Sequence, residues 1–241
     1  MIKNTLIKPD KVEYVGRPGA PRICVFTDIL SEEEHGFLVD FCRSNKENFK
    51  RIGYSVTTRW DSFFHTEKDI HYKRAFFIDE QENSSITQQK VEKIEEDLVS
   101  NVGVLNLTSE LEDDFLKAYF ALCSVLDTAV EKIKQVYDVE AYRELNPWIT
   151  YQAEGQYMDM HIDGPFSENR GHHTEFSSVY YINDDFDGGD FIMPVMGFTY
   201  KPKANSMIMF SHSWHEDMLH EVNAVVSGDR FLCQGFFSSK K

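Results

Sequence analysis

Short β-rich runs dominate the second half of this chain, beginning directly after Pro147. Gly, Asp and Asn cluster between these runs, which cover residues 148–152, 176–182, 190–193, 206–210, 222–226 and 231–237. Several short strands separated by turn residues are typical of a sandwich or a barrel. We therefore predict an all-β core over residues 147–238.

The first half, residues 1–146, is predicted to be a mainly helical support with some strands. Ser31 opens the sequence S-E-E-E, in which the serine can cap a helix and Glu34 can reach back to the serine amide. Apolar residues at helical spacing follow it and recur further along the chain. The predicted helices cover 32–44, 86–100 and 110–136, and predicted strands and loops cover 22–30 and 49–79. The fold class expected for the whole chain is α+β.

Charge and composition limit the classes of partner. The 241 residues carry a formal net charge of −15, because 40 Asp and Glu outnumber 25 Lys and Arg. Proteins that bind nucleic acid usually present a basic stripe to its phosphates, and anionic membranes attract the same kind of surface. This charge therefore opposes both kinds of partner. A hydrophobic fraction of 41%, with 19 Phe and 11 Tyr, is sufficient for a sizeable core.

Targeting signals are not evident in the sequence. Residues 1–10 lack the apolar stretch of a secretory signal, and no segment approaches the roughly 20 apolar residues of a membrane span. The cysteines are far apart and include no C-x-x-C pair, so we expect them to be reduced and buried. They are Cys24, Cys42, Cys123 and Cys233. The expectation is a soluble, cytoplasmic protein.

The sequence His161-Ile-Asp163 places an imidazole and a carboxylate two residues apart. In a strand, residues i and i+2 point to the same face, so both groups would converge on one side. They could share a metal if a third ligand came from another strand. A surface histidine beside a turn aspartate is the alternative interpretation, and Asp159 is a rival carboxylate with the same strand parity.

His220 is the strongest candidate for that third ligand. It shares its parity with Val222, Ala224 and Val226, so it should point into the core, where an imidazole needs a partner. A buried histidine satisfied by a neutral hydrogen bond is the alternative. His212 and His215 lie in the polar stretch S-H-S-W-H-E-D, which is typical of a loop.

Two histidines and one carboxylate match the facial triad of non-haem Fe(II) oxygenases. Three protein ligands leave three open positions on an octahedral iron, of which 2-oxoglutarate would take two and O₂ the third. The far carboxylate of 2-oxoglutarate then needs a cation, and a planar guanidinium suits it. Arg230 follows the turn Ser227–Asp229 and opens an aromatic strand. A rim arginine in a surface salt bridge is the alternative.

Several motifs in order resemble the prolyl 4-hydroxylase-like branch of the 2-oxoglutarate/Fe(II) dioxygenases. They are H-I-D at 161–163, Y-Y-I-N at 180–183, D-G-G-D-F-I-M-P at 187–194, L-H-E-V at 219–222, G-D-R at 228–230 and G-F-F at 235–237. Arg230 follows His220 by the interval that the family pattern has. Met158 departs from that pattern, because many members carry a tyrosine there. The loops over 164–176 and 211–217 are longer than in several members.

The resemblance implies a jelly-roll core, or double-stranded β-helix, within a single catalytic domain over 1–241. It implies that His161, Asp163 and His220 are the catalytic metal ligands and that Arg230 holds the distal carboxylate of 2-oxoglutarate. Tyr181 matches a tyrosine that joins this arginine, and Tyr151 matches one that in some members approaches the metal-bound end. Ordinary core tyrosines are the alternative for both residues.

The resemblance also implies an activity, with Fe(II), 2-oxoglutarate, O₂ and ascorbate as cofactors or co-substrates. It is the hydroxylation of a C–H bond coupled to the decarboxylation of 2-oxoglutarate, with a prolyl residue of a peptide or protein as the first expected substrate. Two alternatives stay open: a hydroxylase of a free amino acid or another small molecule, and a non-catalytic jelly-roll module that binds metal.

Overall fold

We analysed a computed structural model that describes residues 23–46, 50–51, 61–63, 109–144, 147–163, 174–211 and 218–239. The helix predicted over 86–100 lies outside the described residues, as do most of the two long loops over 164–176 and 211–217. His212 and His215 belong to the second of those loops.

Two helices are described, and both were predicted from apolar spacing. Helix α1 spans Glu32–Ser44, and its capping box is present: the Glu34 amide donates to Ser31 Oγ at 3.3 Å and the Ser31 amide donates to Glu34 Oε2 at 3.2 Å. Helix α2 spans Ser109–Tyr137. Neither described helix has an apolar stretch long enough to cross a membrane.

The described strands form two main antiparallel sheets and one small one. The strands are β1 Ile23–Thr27, β2 Lys50–Arg51, β3 Asp61–Phe63, β4 Tyr142–Arg143, β5 Ile149–Gln152, β6 Met158–His161, β7 Phe176–Tyr181, β8 Asp187–Gly188, β9 Phe191–Met193, β10 Phe198–Tyr200, β11 Ser206–Ser211, β12 His220–Val222, β13 Val225–Ser227 and β14 Arg230–Ser238. The larger sheet has the order β1-β11-β7-β14-β5-β3-β2, with β4 also paired to β14. The smaller sheet has the order β10-β9-β12-β6, and β13 pairs with β8.

Strand β14 is buried on both faces, which explains its almost continuous apolar sequence. Residues alternate between the two faces of a strand, so Phe231, Cys233 and Phe237 pack in one cluster with Leu38 of α1 and Leu122 of α2. Leu232 belongs to a second cluster, which joins residues of both main sheets: Val179, Tyr181, Ile208 and Phe210 with Phe191, Met193 and Val222. The helices thus cover the outer face of the larger sheet, and the smaller sheet covers its inner face.

One predicted strand, over 222–226, is wrong as a continuous element. The chain forms β12 as far as Val222 and resumes as β13 at Val225. Between them, the Asn223 side chain accepts a hydrogen bond from the Asp190 amide at 2.7 Å, and the Asn223 amide donates to the Asp190 carbonyl at 3.2 Å. The alternation is therefore broken, and Val226 is 65% exposed although it was predicted to share the buried face of His220.

Candidate metal centre and adjoining pocket

His161 and His220 lie opposite each other on the paired strands β6 and β12. Their ring centres are 4.3 Å apart. Directly opposed residues of an antiparallel pair bring their side chains close together, so strand pairing alone joins two histidines that are distant in sequence. His220 is buried, as its parity predicted, with Phe191 stacked on its ring and Phe210 packed edge-on.

Asp163 completes a cluster of three ligand-type side chains. Strand β6 ends at His161, so Asp163 lies just beyond the strand that was expected to include it. Its Oδ1 is nevertheless 3.3 Å from His161 Nε2 and 3.6 Å from His220 Nε2. Metal bonds of about 2.1 Å at right angles separate neighbouring ligand atoms by roughly 3 Å. The spacing fits one divalent cation bound by all three residues.

Hydrogen bonds prepare each of the three groups for a cation. His161 Nδ1 is 2.6 Å from the Asp159 carbonyl, and His220 Nδ1 is 2.9 Å from the Met218 carbonyl. A carbonyl only accepts, so each Nδ1 must carry the proton and each Nε2 presents its lone pair to the centre. Ser177 Oγ donates to Asp163 Oδ2 at 2.8 Å, which leaves Oδ1 directed at the two histidines.

Electrostatics at His161 also favour a positive charge. Burial disfavours the protonated imidazole, but the hydrogen bond and the negative charge of Asp163 outweigh burial, so the pKa of His161 lies above its ordinary value. The same negative charge of Asp163 would also stabilise a metal cation at this position. The rival carboxylate, Asp159, takes part through its backbone carbonyl, and the cluster of ligand atoms includes Asp163 instead.

Arg230 occupies the other end of the same pocket. It opens β14 and is only 1% exposed, and its Nη1 donates to Gln152 Oε1 on the paired strand β5. Its Nε and Nη2 are buried and make no hydrogen bond to any described residue. A buried charged group without full hydrogen bonding is unfavourable, and burial accordingly lowers the pKa of Arg230. These two N–H groups could donate parallel hydrogen bonds to a ligand carboxylate.

Tyr181 lies beside this arginine, as the family resemblance implied. The Arg230 guanidinium carbon is 5.3 Å from the centre of the Tyr181 ring. Burial raises the pKa of Tyr181 strongly and the charge of Arg230 opposes that rise, yet the hydroxyl is outside hydrogen-bonding geometry with every described residue. Its buried O–H group is therefore a third donor without a partner at this end.

A cavity connects the two ends. Its walls include Asp163 and His220 at one end and Arg230 and Gln152 at the other. The same lining includes Thr150, Met158, Val179, Val222, Leu232 and Gln234. The group of possible metal ligands, together with buried donors that lack partners among the described residues, fits Fe(II) and a dicarboxylate such as 2-oxoglutarate.

Gly189 makes room for the arginine. A Cβ on this residue would lie 2.7 Å from Arg230 Cδ, and its φ of +65° is a conformation that L side chains rarely adopt. Close packing against the arginine is therefore a reason for glycine at this position.

Tyr151 was expected to approach the metal-bound end of 2-oxoglutarate, but the structure places it outside the lining of this pocket. Its neighbours Thr150 and Gln152 line the cavity, so alternation directs Tyr151 to the opposite face of β5. There it stacks on Phe231 and donates to Asp229 Oδ1 at 2.8 Å. It belongs to the core cluster under the helices, which was the alternative interpretation of this tyrosine.

Two residues at the site were not predicted from the sequence. Ser177 contacts Asp163, and Gln152 contacts Arg230. The only local signal for them is a polar residue within a buried strand, and Thr150 and Ser178 carry the same signal. Which of these polar residues meets a functional group depends on the pairing of distant strands.

Comparisons with known proteins agree with this geometry. Residues 148–238 match the family model of the 2OG-Fe(II) oxygenase superfamily. A PKHD-type hydroxylase of Prochlorococcus marinus (strain MIT 9301) is 29% identical over 92 residues, which are 37% of this chain and 40% of that protein. A PKHD-type hydroxylase from Synechococcus sp. (strain CC9605) is 24% identical over 123 residues, which are 49% of this chain and 54% of that protein. The match thus spans about half the length of these curated relatives, or less.

Solved structures show the fold. A viral collagen prolyl hydroxylase from Paramecium bursaria Chlorella virus-1 is 13% identical, with a TM-score of 0.54 over 97% of this chain and 99% of that chain. A Trichoplax adhaerens prolyl hydroxylase, solved with a peptide fragment of the hypoxia inducible factor oxygen degradation domain, is 12% identical, with a TM-score of 0.56 over 90% and 84%. The facing antiparallel sheets are therefore the jelly roll that was predicted. Residues 148–238 thus match the 2OG-Fe(II) oxygenase superfamily model, and the chain has the fold of the solved prolyl hydroxylases.

Proposed function

We propose that this protein is a hydroxylase that binds Fe(II) through His161, Asp163 and His220 and 2-oxoglutarate through Arg230 and Tyr181. One observation carries the proposal: a buried guanidinium with two unpaired nitrogens faces the same cavity as a preorganised cluster of two histidines and one carboxylate. A metal-binding module without catalysis would need the cluster and would have no use for the arginine.

Bound Fe(II), with 2-oxoglutarate and O₂, supplies the oxidising chemistry that releases succinate and CO₂ and hydroxylates a C–H bond. The protein's own groups bind and orient. The two Nδ1–H hydrogen bonds to backbone carbonyls keep both Nε2 atoms directed at the metal. Val222 and Leu232 give the cavity apolar walls, and such surroundings would strengthen the pairing of Arg230 with an anionic ligand.

We propose a prolyl residue of a peptide or protein as the substrate. Two structural relatives act on such chains by their names, one as a collagen prolyl hydroxylase and one bound to a peptide fragment. The support for this substrate is the fold that this chain shares with them.

The test has two readouts, succinate release and mass spectrometry, on proline-containing peptides incubated with Fe(II), 2-oxoglutarate and ascorbate. We expect succinate formation that depends on the peptide, with the mass of one oxygen atom added at proline. Both signals should vanish in Asp163→Ala and persist in Asp159→Ala, the matched control for a nearby carboxylate. Turnover with free amino acids only would show that the proposed prolyl substrate is wrong. A wild-type protein that binds neither metal nor 2-oxoglutarate would refute the proposed function.

A further inference from the structure

Gln152 is the polar partner of Arg230 and is itself completely buried. A guanidinium has only N–H donors, so the Gln152 oxygen, Oε1, must be the atom that faces Arg230. The amide nitrogen, Nε2, is therefore directed away from the arginine. It is buried, it lies in a residue that lines the cavity, and it makes no hydrogen bond within the described part of the chain.

The charge of this partner is as important as its position. A buried guanidinium is usually paired with a carboxylate, which neutralises it. Here the partner is a neutral amide, and no described carboxylate forms an ion pair with Arg230; Asp190 acts on it only from beyond salt-bridge distance. Gln152 thus orients the guanidinium while leaving its positive charge available. A ligand of opposite charge is what completes this environment.

We propose that Gln152 determines the specificity of the co-substrate pocket for a 2-oxo acid with a second, distal carboxylate. Its Oε1 holds Arg230 in place without neutralising it, so that Arg230 Nε and Nη2 stay available to the distal carboxylate. This inference rests on the proposed use of 2-oxoglutarate.

The decisive variant is Gln152→Glu, because the two side chains have nearly the same shape. The introduced carboxylate would pair with Arg230, neutralise it and replace the Nε2 donor with an acceptor. We expect affinity for 2-oxoglutarate to fall about 100-fold or more, since removal of a buried charge pairing costs on the order of that factor. Gln152→Met removes the hydrogen bond to Arg230 at similar volume, and we expect a loss of about 10-fold.

The measurement compares two ligands of equal chain length, 2-oxoglutarate and 2-oxovalerate, which carries a methyl group where 2-oxoglutarate has its distal carboxylate. Each is titrated without O₂ into the Fe(II)-loaded protein, and the metal-to-ligand charge-transfer band is followed. Wild type should strongly prefer 2-oxoglutarate. In Gln152→Glu that preference should collapse, while affinity for 2-oxovalerate stays within about 3-fold of wild type, since its binding does not involve the arginine.

Gln156→Glu is the matched control, because it makes the same substitution outside the cavity. Gln156 Oε1 accepts from the Ala153 amide at 2.8 Å, an interaction that a glutamate oxygen can keep. Its ligand preference should equal that of wild type. Melting temperature and Fe(II) affinity verify the fold of each variant, and Gln152→Met decides the outcome if Gln152→Glu does not fold.

The possible results separate the two proposals. A preference for 2-oxoglutarate that persists in Gln152→Glu and Gln152→Met would overturn the role of Gln152 and leave the proposed function intact. If the affinities for both ligands fell in parallel, Gln152 would have only a structural role, and this result would also overturn the inference. Failure of the wild-type protein to bind 2-oxoglutarate would instead refute the proposed function.

Discussion

The two ends of the cavity satisfy their polar groups in opposite ways. At the metal end, Asp163 and both histidines already have close protein partners, and the His161 side chain is 33% exposed. At the arginine end, Arg230 is 1% exposed, and its donors, with those of Tyr181 and Gln152, lack partners among the described residues. Unpaired buried donors are costly, whereas partnered groups are stable without a ligand.

Because of this difference, we expect the two ends of the cavity to respond differently to substitution. The metal end selects its ligand by geometry, because three atoms must meet at one point. The arginine end selects by charge, because only an anion relieves its unpaired donors. Loss of a metal ligand should therefore remove the cation and spare the fold, and loss of the arginine should remove the dicarboxylate and spare the metal.

The largest effect is expected at the metal end. Asp163→Ala should abolish turnover and metal binding, because the remaining pair of histidines would lose the carboxylate that meets both Nε2 atoms. Asp159→Ala is the control, and its backbone carbonyl would still bind His161. Spectroscopic titration with Co(II) would measure both. Metal loss in Asp159→Ala combined with retention in Asp163→Ala would show that the assigned triad is wrong.

The second effect tests the arginine end. Arg230→Met should weaken 2-oxoglutarate binding by about 2–5 kcal/mol and leave metal affinity unchanged. The free energy of unfolding without ligand should stay equal or rise, because an apolar side chain of similar size removes a buried charge that is incompletely paired. Denaturant unfolding and ligand titration would report the two quantities. Lower stability with unchanged ligand affinity would make Arg230 a structural residue.

The third effect concerns the orientation of the metal carboxylate. Ser177→Ala removes the donor to Asp163 Oδ2 and should lower metal affinity about 10- to 100-fold, as expected when a residue that orients a ligand is lost. The neighbouring Ser178 is equally buried, and its hydroxyl has no partner among the described residues. Ser178→Ala should therefore leave metal affinity unchanged. Equal losses in both variants would indicate a packing effect instead.

The smallest effect distinguishes the two predicted tyrosines. Tyr181→Phe should cost about 0.5–1.5 kcal/mol of 2-oxoglutarate affinity, the contribution of one ordinary hydrogen bond. Tyr151→Phe should cost none, because its hydroxyl binds Asp229 on the other face of the sheet. The free energy of unfolding should show the reverse order, because of these two hydroxyls only that of Tyr151 has a hydrogen bond within the described part of the chain. A loss of 2-oxoglutarate affinity in Tyr151→Phe would restore the original prediction for it.

Local patterns in the sequence were sufficient to predict the two described helices and most of the described strands, and to nominate the candidate ligands. The S-E-E-E start of α1, the apolar spacing of α2 and the parity that buries His220 all depend on residues a few positions apart. Helical and strand periodicities act over that same short range. Arg230 and Tyr181 were predicted from the order of motifs; the structure places Arg230 in the wall of the cavity and the Tyr181 ring beside its guanidinium.

Pairing and register were decided only in the folded chain. The contact of Gln152 with Arg230, the placement of Tyr151 under the helices and the break after Val222 all depend on which distant strands lie side by side. A shift of one residue in register would exchange the two faces of β5, turning Tyr151 into the cavity and Gln152 away from it. Strand periodicity allows both arrangements, and the packing of the helices on one face and the smaller sheet on the other selects between them.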